Sequence, residues 1–502
     1  MMSHWIIAPV VLPAILAPLI VLVMRNDLTL QRIFGLAGTV ALGAIAAALL
    51  IAASHNPPEA YLLGNWPAPF GIVLVLDRLS AMMLMLTAIL ALGVQLYVIS
   101  TDWDARGRHF HALFLFQLMG LNGAFLTGDA FNLFVFFEVL LIASYGLMIH
   151  GAGKDRLRAG VQYIGFNLVA STLFLFALAT VYAVTGTLNM ADIAVKVAAL
   201  PEGDAALIRA AAVLMLSVFA IKGALVPLQF WLPGTYANAP GPVAALFAIM
   251  TKVGAYAILR SSTLFFTPDS PAIGSMIGDL MLPAALVTLA IGAVGVLGAT
   301  TLQRLAAFAG IASMGTIFTA FSAFTPAATS AALYYLIHST LATAALFLIA
   351  DLVTDRRGSA RLDARPRIAQ QGLIAGLFFV GAIALAGMPP LSGFIGKLLV
   401  LDAMRGDAPL IWTVVLLSSL LLILGFARAG SVLFWKSHAT GEAPEPGHAS
   451  EPLAFISVGA LLAALVALTI FAGPVKDWLD LTATALHQPA GYIAANQLPW
   501  VN

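Results

Sequence analysis

Five side chains sit where an apolar sequence has least room for them. Glu138 lies in TGDAFNLFVFFEVLLIASYGLMIHG, nine residues after Asp129 and twelve before His150. At about 1.5 Å of rise per helical residue, that spacing sets its carboxylate roughly halfway across a hydrocarbon layer about 30 Å thick. Lys222 lies in AAAVLMLSVFAIKGALVP, Lys252 in PVAALFAIMTKVGAYAIL, His338 in ALYYLIHSTLATAALFL and Lys397 in MPPLSGFIGKLLVL. A charge at that depth costs a few kcal/mol or more, so it needs a partner, water or an exchangeable proton. Snorkelling moves a lysine head by one side-chain length only, and Lys222 and Lys252 lie deeper than that.

The chemistry these types permit is proton handling. In general a lysine keeps its proton more readily beside a carboxylate and less readily in apolar surroundings. A Lys–Glu pair is therefore a switch, and lysines spaced along hydrated half-channels can pass protons in steps. Histidine titrates near neutrality and suits a position between them. Asp77, in VLDRLSAMM, has three readings: a helix cap, a partner for Arg78, or an accessory group of the same path. No hydrolytic triad, Walker loop, dinucleotide fingerprint or metal cluster is visible, so neither a metal, a cofactor nor an enzyme activity is expected. His438 and His448 read as solvated loop residues.

The elements that must position these groups follow from composition. Of 502 residues, 61% are hydrophobic and 9% charged, against about 25% charged in soluble domains. This predicts an all-α polytopic membrane protein. The net charge of +1 gives no reason to expect a nucleic-acid partner, and the absence of cysteine excludes disulfides, thiolate nucleophiles and cysteine-held clusters. Apolar runs long enough to span fall at about 5–24, 30–53, 73–100, 109–127, 130–150, 160–185 and 207–231. They continue at about 241–266, 274–300, 303–324, 328–353, 369–404, 408–435 and 452–472. That predicts fourteen spans, the first of them retained and not a signal peptide. Lys and Arg favour the connections that place both termini outside, and Asp351–Arg367 weighs most among the inner ones.

Two spans carry breakers. The seventh has Pro227 after Lys222, and the twelfth has Pro389-Pro390 before Lys397. Proline frees backbone carbonyls, which at membrane depth must be met by protein or water. Paired broken helices point to inverted repeats, spans 4–8 and 9–13. The expected organisation is residues 1–108 (three spans), 109–266 and 267–435 (the repeats), and 436–502 (a mobile loop at Thr440–Glu451, span fourteen and a tail). Leu188–Ala199 and Val475–Leu486 read as short surface helices.

Four stretches carry a resemblance: GDAFNLFVFFEVLLIASYGL, KGALVPLQFWLPGTYANAPGPVAALFAIMTKVGAYAILR, QRLAAFAGIASMG and GMPPLSGFIGK. They resemble the antiporter-like subunits shared by Mrp-type cation/proton antiporters and respiratory NADH:quinone oxidoreductase, most densely over about 110–400. The resemblance implies that Glu138 and Lys222 form the family's ion pair, that Lys252 connects, and that Lys397 is the terminal ionisable residue. Respiratory members commonly have histidines where this chain has Gln229 and Tyr236, a histidine or glutamine near Ser313 and a lysine near Ala342. The run HSTLATAALFLIAD is similar to the D-type branch of Mrp subunits, and leaves His338 and water between Lys252 and Lys397.

What this implies is exchange of protons for Na⁺ or K⁺ in a hetero-oligomer with other Mrp subunits, within the lipid of a bacterial plasma membrane. The alternative is a pumping subunit of a redox-driven NADH dehydrogenase or hydrogenase complex. A membrane transferase acting on lipid would want its acid or base near the headgroups, whereas these groups sit at the midplane.

Overall fold

The computed structural model describes residues 3–201, 203, 205–440 and 451–499. The chain opens with α1 (Ala8–Val23) and α2 (Leu28–His55), the latter capped by Asp27, whose side chain accepts from the Leu30 N–H. A hairpin follows, β1 (Glu59–Leu62) paired antiparallel with β2 (Val73–Leu76). The third apolar run was expected to be helical from 73. Its helix α3 (Arg78–Ser100) starts later, because Asp77 is extended and caps it, leaving Val73–Leu76 as strand. The fold is thus helical apart from this hairpin.

Next come α4 (Phe110–Leu126), α5 (Ala130–Met148), α6 (Lys154–Thr185) and α7 (Met190–Ala198). Then follow α8 (Ala206–Lys222), α9 (Trp231–Asn238), α10 (Gly241–Phe247) and α11 (Met250–Leu264). The second half holds α12 (Met276–Gly298), α13 (Leu302–Phe321) and α14 (Pro326–Arg357). After them come α15 (Gln371–Ala386), α16 (Ser392–Ala403) and α17 (Ala408–Gly430). The chain closes with α18 (Pro452–Ile470), α19 (Ala472–His487) and α20 (Ala490–Ala495). Among the described residues, ten helical segments are long and apolar enough to cross a membrane. The centre is α14, which packs against α10, α13, α15, α16, α18 and α19, and the α10–α11 pair, which is buried throughout.

Several expectations shift. Helix α7 was expected at the surface, yet Ile193 and Asp192 are fully buried where it meets α6, α11 and α20. Helix α14 runs through Arg357, so the connection expected on the inner side begins after it, and Arg356 and Arg357 are buried. The expected mobile loop lies, but for its two end residues, outside the described residues, as does His448.

Both ends of the chain pack against the hairpin: His4 lies edge-on to Tyr61 at 5.6 Å, and α20 contacts β1. On the opposite face a charged cluster, with Asp104 and His111 buried and Asp102 exposed, ties α2 to α4. Arg32 donates to Asp104 at 2.7 Å and to Asp102 at 2.6 Å, and His111 Nε2 lies 2.9 Å from Asp104. Burial pushes the Asp104 carboxyl up, but hydrogen bonds from Arg32 and His111 outweigh it and hold it at about 2. A depressed carboxylate contributes stability that is complete above the ordinary carboxylate range and is lost only as pH falls through about 2. Asp104→Asn is therefore expected to cost about 2 kcal/mol, the scale of a hydrogen bond to a charged group. A lower unfolding temperature of the purified complex at neutral pH checks it; an unchanged one would leave this cluster without a structural role.

Candidate functional site

Glu138 projects from α5 toward α6, where its Oε1 accepts from the Ser171 hydroxyl. Four positions earlier on α6, Asn167 Oδ1 accepts from Lys222 Nζ at 2.6 Å. No ion pair joins Glu138 to Lys222: two neutral side chains on one face of α6 stand between them. Helix α6 packs against both α5 and α8.

Lys222 is the last residue of α8. The chain turns left-handed at Ala224 (φ 54°), and residues 223–230 are non-helical until α9 begins. Carbonyls freed there are met internally: the Trp231 indole N–H donates to Ile221 O at 2.9 Å and Gly223 N–H to Phe219 O at 2.8 Å. A cavity of about 10 Å³ beside Lys222 and Asn167 reaches Met250 and Val253 on α11, space for roughly one water. A Cβ on Gly254 would collide with the backbone N of Gly223, so the end of α8 abuts α11 two residues past Lys252. Lys252 itself is 1% exposed and has one polar contact, the Thr251 hydroxyl at 3.4 Å.

The second cluster lies where α14 meets α16. His338 is fully buried, with Nδ1 2.9 Å from Ser392 Oγ and Nε2 without a hydrogen-bond partner among the described residues. Gly393 permits that approach: a Cβ there would run into the Ala384 carbonyl and come within 2.8 Å of His338 Nε2. Lys397, 5% exposed, donates to Ala386 O and to Ser419 Oγ, both at 2.9 Å. Ala386 ends α15, so the ammonium satisfies a carbonyl at the negative end of that helix. Gly387 (φ 75°) turns the chain beneath the lysine, where a Cβ would touch Lys397 Cδ at 2.6 Å.

Asp77 does not pair with Arg78, which donates instead to Ser54 O at 2.5 Å. Its carboxylate caps α3 and also receives both Arg260 Nη groups, at 2.6 and 2.9 Å. Arg260 is 4% exposed inside α11. Asn167, Ser171, Ser392, Ser419 and Arg260 were not singled out from the sequence. Only the Asn167–Ser171 spacing, one polar face on an apolar helix, offered a signal. Tyr236, at a position where respiratory relatives have histidine, donates its phenol to Phe247 O at 2.8 Å and lies among buried aromatic rings.

Lys222 at the end of α8, Lys252 on α11, His338 on α14 and Lys397 on α16 are thus all buried. Known proteins resemble this chain in sequence and in fold. The family model described as NADH:quinone oxidoreductase/Mrp antiporter, TM, matches residues 127–423. A Rhizobium meliloti protein, named as the D subunit of a probable K⁺/H⁺ antiporter, is 38% identical over 97% of this chain and 96% of its own length. The D subunit of the Na⁺/H⁺ antiporter of Bacillus subtilis is 37% identical, over 98% and 99%. A chain in the structure of the Mrp complex from Dietzia sp. superposes with a TM-score of 0.89 at 28% identity, over 99% of both chains. Matched across more than half its length by that model and nearly end to end by these relatives, the chain belongs to the NADH:quinone oxidoreductase/Mrp antiporter family of transmembrane proteins.

Proposed function

We propose that this chain is the proton-translocating D-type subunit of a multisubunit Na⁺(K⁺)/H⁺ antiporter in a bacterial plasma membrane. The observation that carries the reading is the row Lys222, Lys252, His338 and Lys397, all buried, each held by neutral groups and none by a carboxylate. Such groups can gain and lose a proton without breaking an ion pair. Lys222 exchanges through the Asn167–Ser171 bridge with Glu138. Lys252 receives from Lys222 across the α8–α11 contact, and His338 with water carries the proton to Lys397. Other Mrp subunits supply the remainder of the machine, as the names of the relatives suggest. A pumping subunit of a redox complex would use the same groups; the antiporter relatives favour the first reading.

In this reading α1, α4, α8 and α15 join the ten longer segments as spans, which completes the expected fourteen. Residues 109–266 and 267–435 are the inverted repeats, with broken helices α8–α9 and α15–α16 in corresponding places. Residues 1–108 and 436–502 flank them. The hairpin and both termini face outward, and the Arg32–Asp104 cluster and Arg361 face the cytoplasm.

The function is tested by everted vesicles of a strain lacking the antiporter, given the complete complex with or without this chain. Cation-driven collapse of a pH gradient is expected only with it; equal collapse without it would end the reading. The orientation has its own check, because the chain has no native cysteine. Arg361→Cys is expected to resist a membrane-impermeant thiol reagent in intact cells and to react in everted vesicles. Labelling from outside would invert the topology.

A further inference from the structure

Lys252, Tyr256 and Arg260 recur every fourth residue, so they form one file along α11, about 12 Å from end to end. At its far end the buried Asp77–Arg260 pair forms part of the wall of a cavity of about 190 Å³, bounded also by Arg78, Gln488 and Tyr492. These walls belong to the face that carries the hairpin and both termini. Arg260 is held from every side: by the Asp77 carboxylate, by the Tyr492 ring at 5.0 Å, and by the Tyr256 hydroxyl at 3.4 Å. The Tyr256 phenol in turn donates to Phe125 O at 2.8 Å, which stations it between Arg260 and Lys252.

We infer that the Asp77–Arg260 pair is a gate on a water path from this cavity along α11 to Lys252. The inference rests on the proton relay proposed above. A guanidinium does not release its proton, so Arg260 cannot be a relay station. A fixed cation repels protons and metal ions alike, and the pair with Asp77 seals the end of the file. Parting the two opens the route past Tyr256; re-forming them shuts it. A purely structural ion pair would look the same in a static view, and the two roles separate in function.

The test uses the complete complex in proteoliposomes. Asp77→Asn keeps the helix cap, since Asn caps as well as Asp, and Arg260→Gln removes the charge that would otherwise be left unpaired. The double variant is expected to dissipate an imposed pH gradient several-fold faster than wild type in the absence of Na⁺ and K⁺. Adding Lys252→Ala should return that leak to the wild-type rate, because the route runs through Lys252. A wild-type leak in the double variant at equal complex content overturns the gate, as does a leak that survives Lys252→Ala. Gln488→Trp, an exposed substitution at the cavity mouth, gives a readout that does not depend on the pair. Plugging the cavity is expected to cut antiport turnover several-fold, and unchanged turnover overturns the path. Lys252→Ala alone separates the two levels. Full antiport in that variant would remove the relay itself, whereas its inactivity beside wild-type leak and turnover in the gate variants would remove only the gate.

Discussion

Everted vesicles holding the complete complex are expected to lose antiport at least about tenfold with Lys222→Ala, a barrier rise of about 1.4 kcal/mol or more. Glu138→Gln should lose a similar factor while the complex assembles normally. The Gln variant is the sharper of the two. Its amide oxygen can still accept from Ser171, so the packing of α5 on α6 survives and only the charge is gone. In the alanine variant Asn167 Oδ1 loses its donor, which adds a packing cost to the loss of the titratable group. Cation-driven recovery of a pH-sensitive dye signal, scaled to the abundance of this chain on a blot, is the measurement. Glu138→Gln at wild-type turnover would show that the carboxylate serves packing alone. Ser171→Ala should fall between, because it removes the bridge and leaves both charges.

Lys397→Arg is expected to assemble and yet to fail in transport. A guanidinium can still donate to Ala386 O and Ser419 Oγ, so the carbonyl at the end of α15 stays satisfied. What it cannot do is give up a proton. Lys397→Ala should lose both the anchor and the flux, with less complex in the membrane as well as less turnover per complex. The expected order for flux is wild type well above both variants, and for abundance wild type near the arginine variant and above the alanine one. Gly387 lies close under the lysine stem and leaves little free room for a bulkier head, so abundance must be read beside flux. An arginine variant that transports at the wild-type rate would make the residue a cap for the broken helix and nothing more.

The charged half of the site was legible in the sequence and the neutral half was not. Glu138, Lys222, Lys252 and Lys397 announce themselves because a charge in an apolar run is costly wherever the run ends up. Asn167, Ser171, Ser392 and Ser419 cost far less, so beyond the four-residue spacing of Asn167 and Ser171 nothing in their local sequence marks them as partners. Arg260 gave no signal either: its partner Asp77 is 183 positions away, and near the end of an apolar run it reads like any boundary arginine. The hairpin was missed for a related reason. Val73–Leu76 is as apolar as the helix that follows, and only the capping geometry of Asp77 separates strand from helix. Proline marks where α8 and α15 give way to the next helix, although α8 ends at the lysine itself, five residues before Pro227.

The bond from Lys397 to the last carbonyl of α15 ties a chemical event to a mechanical one. The ammonium is a rivet between α15 and α16, across the turn that separates them. Linkage makes such a joint work in both directions: if proton occupancy alters how firmly the halves are fastened, then bending the joint must alter proton occupancy by the same free energy. A neighbouring protein leaning on α16 would therefore perform work on the proton without touching it, and a proton arriving at the lysine would push back on that neighbour.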